Sequence, residues 1–178
     1  LFEGKDFRIA PEPFELEPRL AKDLEFLGRV LFQFNRATNL LYRLSVAGKQ
    51  PTWIARWLDQ GKPAELIELQ RSAVFKNDLP RVIRPDVLLT ETGLAITELD
   101  SVPGGIGLTG WLNQTYAELI PPPTSGTANA GSIIGGADGM IRGFEKIFGD
   151  APRVHIVVSE EAATYRPEME WICAQLGG

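Results

Sequence analysis

Residues 84–100 read RPDVLLTETGLAITELD, and this stretch decides the fold class. Two short apolar runs, Val87–Leu89 and Leu94–Ile96, flank the turn segment Thr90–Gly93. Apolar runs of this length around a glycine-containing turn are typical of a β-hairpin. We predict a three-residue loop, which pairs Thr90 with Leu94 across the two strands.

That register would place four polar side chains on one face of the hairpin. Arg84 would lie opposite Asp100, and Asp86 opposite Glu98, because side chains alternate between the two faces of a strand. The Cα atoms of Glu98 and Asp100 would be about 6.5–7 Å apart, close enough for both carboxylates to share one hard cation. Three uncompensated carboxylates in one patch repel each other, so a cation or a polar ligand is favoured. The simpler interpretation of Glu98 and Asp100 is two solvated carboxylates at a strand end.

Upstream of the hairpin, the apolar pattern has the period of a helix. Leucine and phenylalanine recur at three- and four-residue steps from Leu20 to Leu44, and Gly48 is predicted to end this long amphipathic helix. Shorter helices are predicted over Trp53–Leu58 and from about Pro63 to Lys76. We therefore expect residues 1–80 to form a mainly helical N-terminal segment.

Residues 81–178 alternate between strand-like and helix-like patterns, which is typical of an α/β fold. Helices are predicted over Leu108–Leu119, Asp138–Phe148 and Pro167–Leu176, and a buried strand over Val154–Val158. Three strands are few for an independent sheet, so we expect this sheet to be incomplete within the chain.

Charge and composition exclude several classes of partner. The net charge is −5, and beyond Arg84 there are 4 Lys and Arg against 12 Asp and Glu. Nucleic-acid binding requires clustered basic residues, so this balance argues against it. No apolar run approaches the roughly 20 residues of a membrane-spanning helix, and no stretch resembles a signal peptide. The single cysteine, Cys173, excludes an intrachain disulfide framework and suits a reducing compartment, so we predict a cytoplasmic protein with no membrane partner.

The glycine turn after the hairpin allows two interpretations. Residues 105–110 read GIGLTG, which matches the G-x-G-x-x-G pattern of dinucleotide-binding enzymes. That pattern is normally followed about 20 residues later by an acidic residue at a strand end, and no such strand is predicted here. In the second interpretation, Gly104, Gly105 and Gly107 let the backbone approach a ligand and present N–H groups to an anion at a helix start.

The triplet Arg84-Pro85-Asp86, followed by residues 98–105 (ELDSVPGG), resembles the substrate and metal segment of eukaryotic-type glutathione synthetase. It is also similar to glutathionylspermidine synthase and other circularly permuted ATP-grasp ligases, over about residues 80–178. The resemblance implies a Rossmann-like pre-ATP-grasp sheet with flanking helices. It also implies that ATP activates a carboxylate as an acyl phosphate, which an amine attacks to form an amide. In this family the ATP-clasping sheets follow the present region, so we expect the chain to be the substrate-side part of a ligase, inactive alone.

The resemblance further implies roles for individual residues. Arg84 matches the catalytic arginine that contacts substrate or acyl phosphate. Glu98 and Asp100 match two acidic ligands of Mg²⁺, although Asp100 stands where the family has asparagine. The residues predicted to bind substrate are Arg84, Asp86, Ser101, Gly104 and Gly105. ATP and Mg²⁺ are the predicted cofactors, and a small carboxylate and an amine are the predicted substrates.

Three points stay open at this stage. The chain could instead be a non-catalytic module of the same fold that binds a ligand or a partner. It could also be a dinucleotide-dependent oxidoreductase domain, on the strength of the glycine pattern. A homodimer is compatible with each of these interpretations.

Overall fold

The computed structural model describes residue 6 and residues 8–101, 104–120 and 132–177. The chain divides into two compact units. The first unit is Pro18–Ile83, and the second comprises the described parts of Leu1–Glu17 and Arg84–Gly178. The predicted division into residues 1–80 and 81–178 stays a prediction.

The first unit contains three helices: α1 (Pro18–Val46), α2 (Trp53–Asp59) and α3 (Ala64–Arg71). The long amphipathic helix is therefore confirmed, and it ends just before Gly48, which has a φ of +70°. Ser45 is buried in the last turn of α1, and its hydroxyl donates to the carbonyl of Pro51 (2.6 Å) and accepts from the N–H of Ala55 (3.0 Å). This serine fixes α2 against the end of α1.

Helix α3 ends at Arg71, before the predicted Lys76. Two side chains of α1 bind backbone carbonyl groups at and beyond this end. The guanidinium of Arg43 donates to the carbonyls of Gln70 (3.2 Å) and Phe75 (2.6 Å), and the amide of Asn39 donates to the carbonyl of Lys76 (3.0 Å). Helix-terminal carbonyls lack partners within the helix, so these donors from α1 stabilise an early end.

The second unit begins with an antiparallel hairpin of β1 (Arg84–Thr90) and β2 (Gly93–Asp100), which confirms the predicted hairpin. Its loop is one residue shorter than predicted, because Thr90 pairs with Gly93 and not with Leu94. A β-bulge at Thr97 of β2, opposite the step from Asp86 to Val87, then restores the expected register farther from the loop.

Three helices follow in this unit: α4 (Ile106–Leu119), α5 (Gly139–Phe148) and α6 (Arg166–Gln175), with a short 3₁₀ turn at Ala163–Tyr165. Helix α4 packs against both α5 and α6. Ile141 of α5 and Ile172 of α6 are buried in this second unit. The described residues therefore form a mixed α/β structure of six α-helices and a two-stranded sheet.

The predicted buried strand over Val154–Val158 is wrong. These residues lie in neither helix nor strand, and Val157 is 88% exposed. An apolar run becomes a buried strand only where a neighbouring strand accepts its backbone hydrogen bonds, and the described residues provide none here. The sheet of the described residues has two antiparallel strands, so the Rossmann-like sheet stays a proposal.

Candidate functional site

The hairpin places Arg84 beside two carboxylates. Arg84 Nε donates to Asp86 Oδ1 at 3.0 Å, and Arg84 Nη2 lies 3.6 Å from Asp100 Oδ2. In the strand register Arg84 is opposite Asp100, and Asp86 is opposite Glu98, as predicted. We call Arg84, Asp86, Glu98 and Asp100 the hairpin cluster.

The bulge in the hairpin produces this register. Thr97 is the extra residue of β2, and its hydroxyl donates to the carbonyl of Asp86 at 3.1 Å. If the two-residue loop continued into a regular ladder, Arg84 would face Leu99. The extra residue therefore moves Asp100 into line with Arg84.

The hairpin cluster is largely solvated. The side chains of Arg84 and Asp86 are 45% and 44% exposed, and that of Asp100 is 29% exposed. The pKa of Arg84 is raised above its ordinary value, mainly by the hydrogen bond to Asp86, and the charges of Asp86, Asp100 and Glu98 add to the effect. The guanidinium of Arg84 is thus permanently charged, and the carboxylates of Asp86 and Asp100 hold it in place.

The metal-binding prediction concerns Glu98 and Asp100. Both belong to β2 at positions two residues apart, and their carboxylates supply only oxygen ligands, as Mg²⁺ prefers. Across the described ranges, no three His, Cys, Asp or Glu side chains come close enough to form a metal centre. Two carboxylates are a usual protein contribution to Mg²⁺, because water and substrate phosphates supply its other ligands.

The glycine turn follows the hairpin, and Val102 and Pro103 within it lie outside the described residues. Ser101 is exposed in a bend. Gly104 lies against Tyr165, because a Cβ at this position would be 2.5 Å from the aromatic ring. Gly105 has a φ of +77° and precedes α4. Ser101 directly follows Asp100 of the hairpin cluster in the chain, whereas Gly104 and Gly105 lead into α4.

The N-terminus of α4 binds a carboxylate of the chain itself. Glu168 of α6 is buried, with 1% exposure, and its Oε2 accepts the backbone N–H of Leu108 at 3.0 Å. A carboxylate is favoured at this position by the free N–H groups and the dipole of the helix. The predicted anion site at this helix start is therefore occupied by Glu168.

Close helix packing accounts for two of the three glycines of the G-x-G-x-x-G pattern. A Cβ on Gly107 would overlap the carbonyl oxygen of Glu168, and a Cβ on Gly110 would lie 3.0 Å from the ring of Trp171. Both glycines let α6 approach α4 closely. Gly105, the third glycine, supplies the left-handed conformation at the start of α4.

The first unit contains a buried polar network that sequence reasoning missed. Asp59 is 8% exposed, and its Oδ1 accepts hydrogen bonds from Tyr42 (2.7 Å) and Gln70 (2.6 Å). Its Oδ2 is paired with Arg71, whose Nε also donates to the hydroxyl of Tyr42 at 3.2 Å. The only sequence signal was an acidic residue at the end of a short helix that is mainly apolar apart from Arg56.

The electrostatics of this network favour the charged forms of both ionic partners. Burial alone would raise the pKa of Asp59, but hydrogen bonds from Tyr42 and Arg71, with the charges of Arg71 and Lys62, lower it below its ordinary value. The pKa of Arg71 is raised, mainly by its hydrogen bond with Tyr42 and further by Asp59.

Comparisons with protein-family models, with curated proteins and with solved structures found no match to this chain. Among the described residues, no helix combines the length and apolar character that a membrane span requires.

Proposed function

We propose that this chain forms the substrate side of an ATP- and Mg²⁺-dependent carboxylate–amine ligase. The proposal rests on the sequence resemblance, and the observation that supports it best is the pairing of Arg84 with Asp86 and Asp100 across the hairpin. In the resembled family the ATP-clasping sheets follow this region. The activity is therefore proposed for the protein that contains both parts, and the Rossmann-like pre-ATP-grasp sheet belongs to the same proposal.

In this proposal Arg84 contacts the substrate carboxylate and its acyl phosphate. A guanidinium presents planar paired donors, which match the oxygens of both groups. Asp86 holds the guanidinium through Nε, and Nη2 lies 3.6 Å from Asp100 Oδ2. Negative charge develops on the acyl and phosphoryl oxygens during the reaction, so a fixed cation lowers the barrier.

Glu98 and Asp100 are the proposed Mg²⁺ ligands. When bound, Mg²⁺ would neutralise phosphate charge, and the two carboxylates would hold it on the same side as Arg84. Ser101, Gly104 and Gly105 are the other proposed substrate-binding residues, and the two glycines would let the protein backbone approach the substrate. The substrates are a small carboxylate and an amine, and ATP is the co-substrate.

The first experiment measures ATP-dependent amide formation in the protein that contains both parts, with Arg84→Lys and Arg84→Ala. Loss of a fixed donor to a developing oxyanion typically lowers turnover by about 10²–10³-fold. We expect both variants to lose activity on this scale while thermal unfolding stays near that of the parent, because Arg84 is exposed. The matched control is Arg153→Ala, an exposed arginine of the same unit. Parent-like turnover in both Arg84 variants would remove this residue from the proposed site.

A second experiment tests the metal ligands by Mn²⁺ relaxation of nearby amide resonances. We expect broadening around the hairpin cluster that weakens in Glu98→Gln and Asp100→Asn. Glu91 lies in the turn of the same hairpin and is exposed, so Glu91→Gln is the control that should leave the broadening unchanged. Equal broadening in all variants would mean that Mn²⁺ binds nonspecifically to surface carboxylates.

One observation favours a second candidate, a non-catalytic binding module of the same fold. Arg84 is paired with carboxylates of its own hairpin, and the N-terminus of α4 is bound by Glu168. The guanidinium of Arg84 and the N-terminus of α4 are thus both bound by carboxylates of this chain. The module would bind ligand without ATP consumption, which the turnover measurement distinguishes. The packing roles of Gly107 and Gly110 leave the dinucleotide interpretation with little support.

A further inference from the structure

A cleft of about 780 Å³ lies among the three helices of the first unit. Its volume falls in the range of about 300–1,000 Å³ that is typical of sites for small molecules. The residues that line it include apolar and cationic side chains, of which the argument uses Arg56, Trp57, Ile67 and Arg71. All belong to residues 18–83, so the cleft is formed within one unit.

Arg71 is held rigidly at the wall of this cleft. Its Nε donates to the hydroxyl of Tyr42, and its Nη2 is paired with Asp59. The other terminal nitrogen, Nη1, has no partner among the described residues, and the side chain is 40% exposed. Arg71 can therefore donate to a ligand from a fixed position without first losing side-chain freedom.

The one carboxylate that lines the cleft is already neutralised. Asp59 uses Oδ1 for Tyr42 and Gln70, and Oδ2 for Arg71. Arg56 lines the same cleft and has no ion pair or hydrogen bond from its side chain within the described part of the chain. The cleft thus keeps one excess positive charge, which favours an anion.

The rest of the wall is suited to a planar apolar group. Trp57 is 68% exposed, and it lines the cleft together with Ile67. A large aromatic side chain left this exposed has apolar area to bury against a ligand. The lining therefore combines two guanidinium groups with an aromatic surface.

We propose that this cleft binds a small organic anion that carries a planar ring, with its carboxylate or phosphate at Arg56 and Arg71 and its ring against Trp57. The site lies in a different unit from the hairpin cluster and does not depend on the ligase proposal. Its sequence signal is weak, because the residues are contributed by α2 and α3, and Arg71 acquires its fixed position only through Asp59 and Tyr42.

The test is a titration of the protein with phenyl phosphate and with benzoate, followed by the indole N–H resonance of Trp57 and the Nε–H resonance of Arg71. We expect saturable shifts of both resonances with at least one of the two probes, and none with benzyl alcohol, which has the ring without the charge. Absence of saturable shifts with both anions would overturn the proposal, as would equal shifts with benzyl alcohol.

Variants on exposed residues keep the test independent of folding. Arg56→Gln should weaken the affinity for the bound probe by about 10- to 100-fold, as expected for loss of a charge-assisted hydrogen bond, and Trp57→Leu should also weaken it. The matched controls are Arg36→Gln and Trp53→Leu, which lie outside the cleft in the same unit and should bind as the parent does. Equal loss in variant and control would indicate nonspecific charge or surface effects and would overturn the site.

Discussion

Asp59 is the residue on which the polar network of the first unit depends. Asp59 is the last residue of α2, and its buried carboxylate accepts hydrogen bonds from three side chains. Tyr42 belongs to α1, and Gln70 and Arg71 belong to α3. A buried charge of this kind is stabilising only while its partners are in place. The carboxylate therefore connects three helices through one group.

Asp59→Asn should destabilise the protein at neutral pH by about 1–3 kcal/mol, because hydrogen bonds to a charged acceptor are lost. The folded-state pKa of Asp59 is lowered, so its stabilising contribution is present above the unfolded-state pKa of about 3.9 and is lost as pH falls through the folded-state pKa. Denaturant unfolding of parent and variant should therefore show a stability gap that narrows as the pH falls below about 4.

The control for this measurement is Asp78→Asn, an exposed aspartate of the same unit whose substitution should leave stability nearly unchanged. If the difference in free energy of unfolding between the parent and Asp59→Asn stays constant down to acidic pH, the network does not depend on the charge of Asp59.

Glu168 is the corresponding residue of the second unit. Glu168→Gln keeps the shape of the side chain but removes the charge at the N-terminus of α4, which should cost about 1–2 kcal/mol in this buried position. Glu170→Gln, on the exposed side of the same helix, should change stability by less than about 0.5 kcal/mol. Thermal unfolding of the two variants measures the difference, and equal effects would remove the helix-terminus interaction as its cause.

At the scale of elements, the contact between α4 and α6 depends on the absence of a side chain. Gly107→Ala places a methyl group against the backbone carbonyl of Glu168, so it should destabilise the protein by about 1–3 kcal/mol through overpacking. Gly143→Ala on α5 meets no atom within 4 Å and should stabilise it by about 0.5–1 kcal/mol. Both glycines are helical, so unfolding measurements that gave the same sign for both would contradict the packing argument.

The hairpin shows how far a local pattern determines an element. Apolar runs and the turn predicted both strands, because strand pairing near a tight loop is a local property. The loop length was wrong by one residue, and the bulge at Thr97 compensated for it, so the pairing of Arg84 with Asp100 was right. A bulge depends on contacts such as that of Thr97 with Asp86, which no periodicity reports.

Other elements needed contacts that lie far apart in the sequence. The end of α3 at Arg71 depends on Arg43 and Asn39, which precede it by about 30 residues. The apolar run at Val154–Val158 had the composition of a strand but found no neighbour among the described strands. The composition of a segment indicates which element it can form, but a strand forms only where a neighbouring strand pairs with it.

At the scale of the whole molecule, the division into two units predicts separate responses to substitution. Asp59→Asn should speed amide hydrogen exchange in α2 and α3 and leave α4 and α6 unchanged, because local stability follows local contacts. Gly107→Ala should instead speed amide hydrogen exchange in α4 and α6 and leave α2 and α3 unchanged. Uniform acceleration throughout the chain in both variants would instead indicate one cooperative structure.

The carboxylate of Glu168 would compete with any external anion for the N-terminus of α4. A free phosphate or carboxylate could reach this helix terminus only by displacing a group that belongs to the same chain and is already within hydrogen-bond distance. The effective concentration of a tethered group is millimolar even on a short flexible connection, and an ordered one is not diluted by linker motion. An external anion would have to exceed this effective concentration to displace Glu168, so the dipole of α4 serves to hold α6 in place.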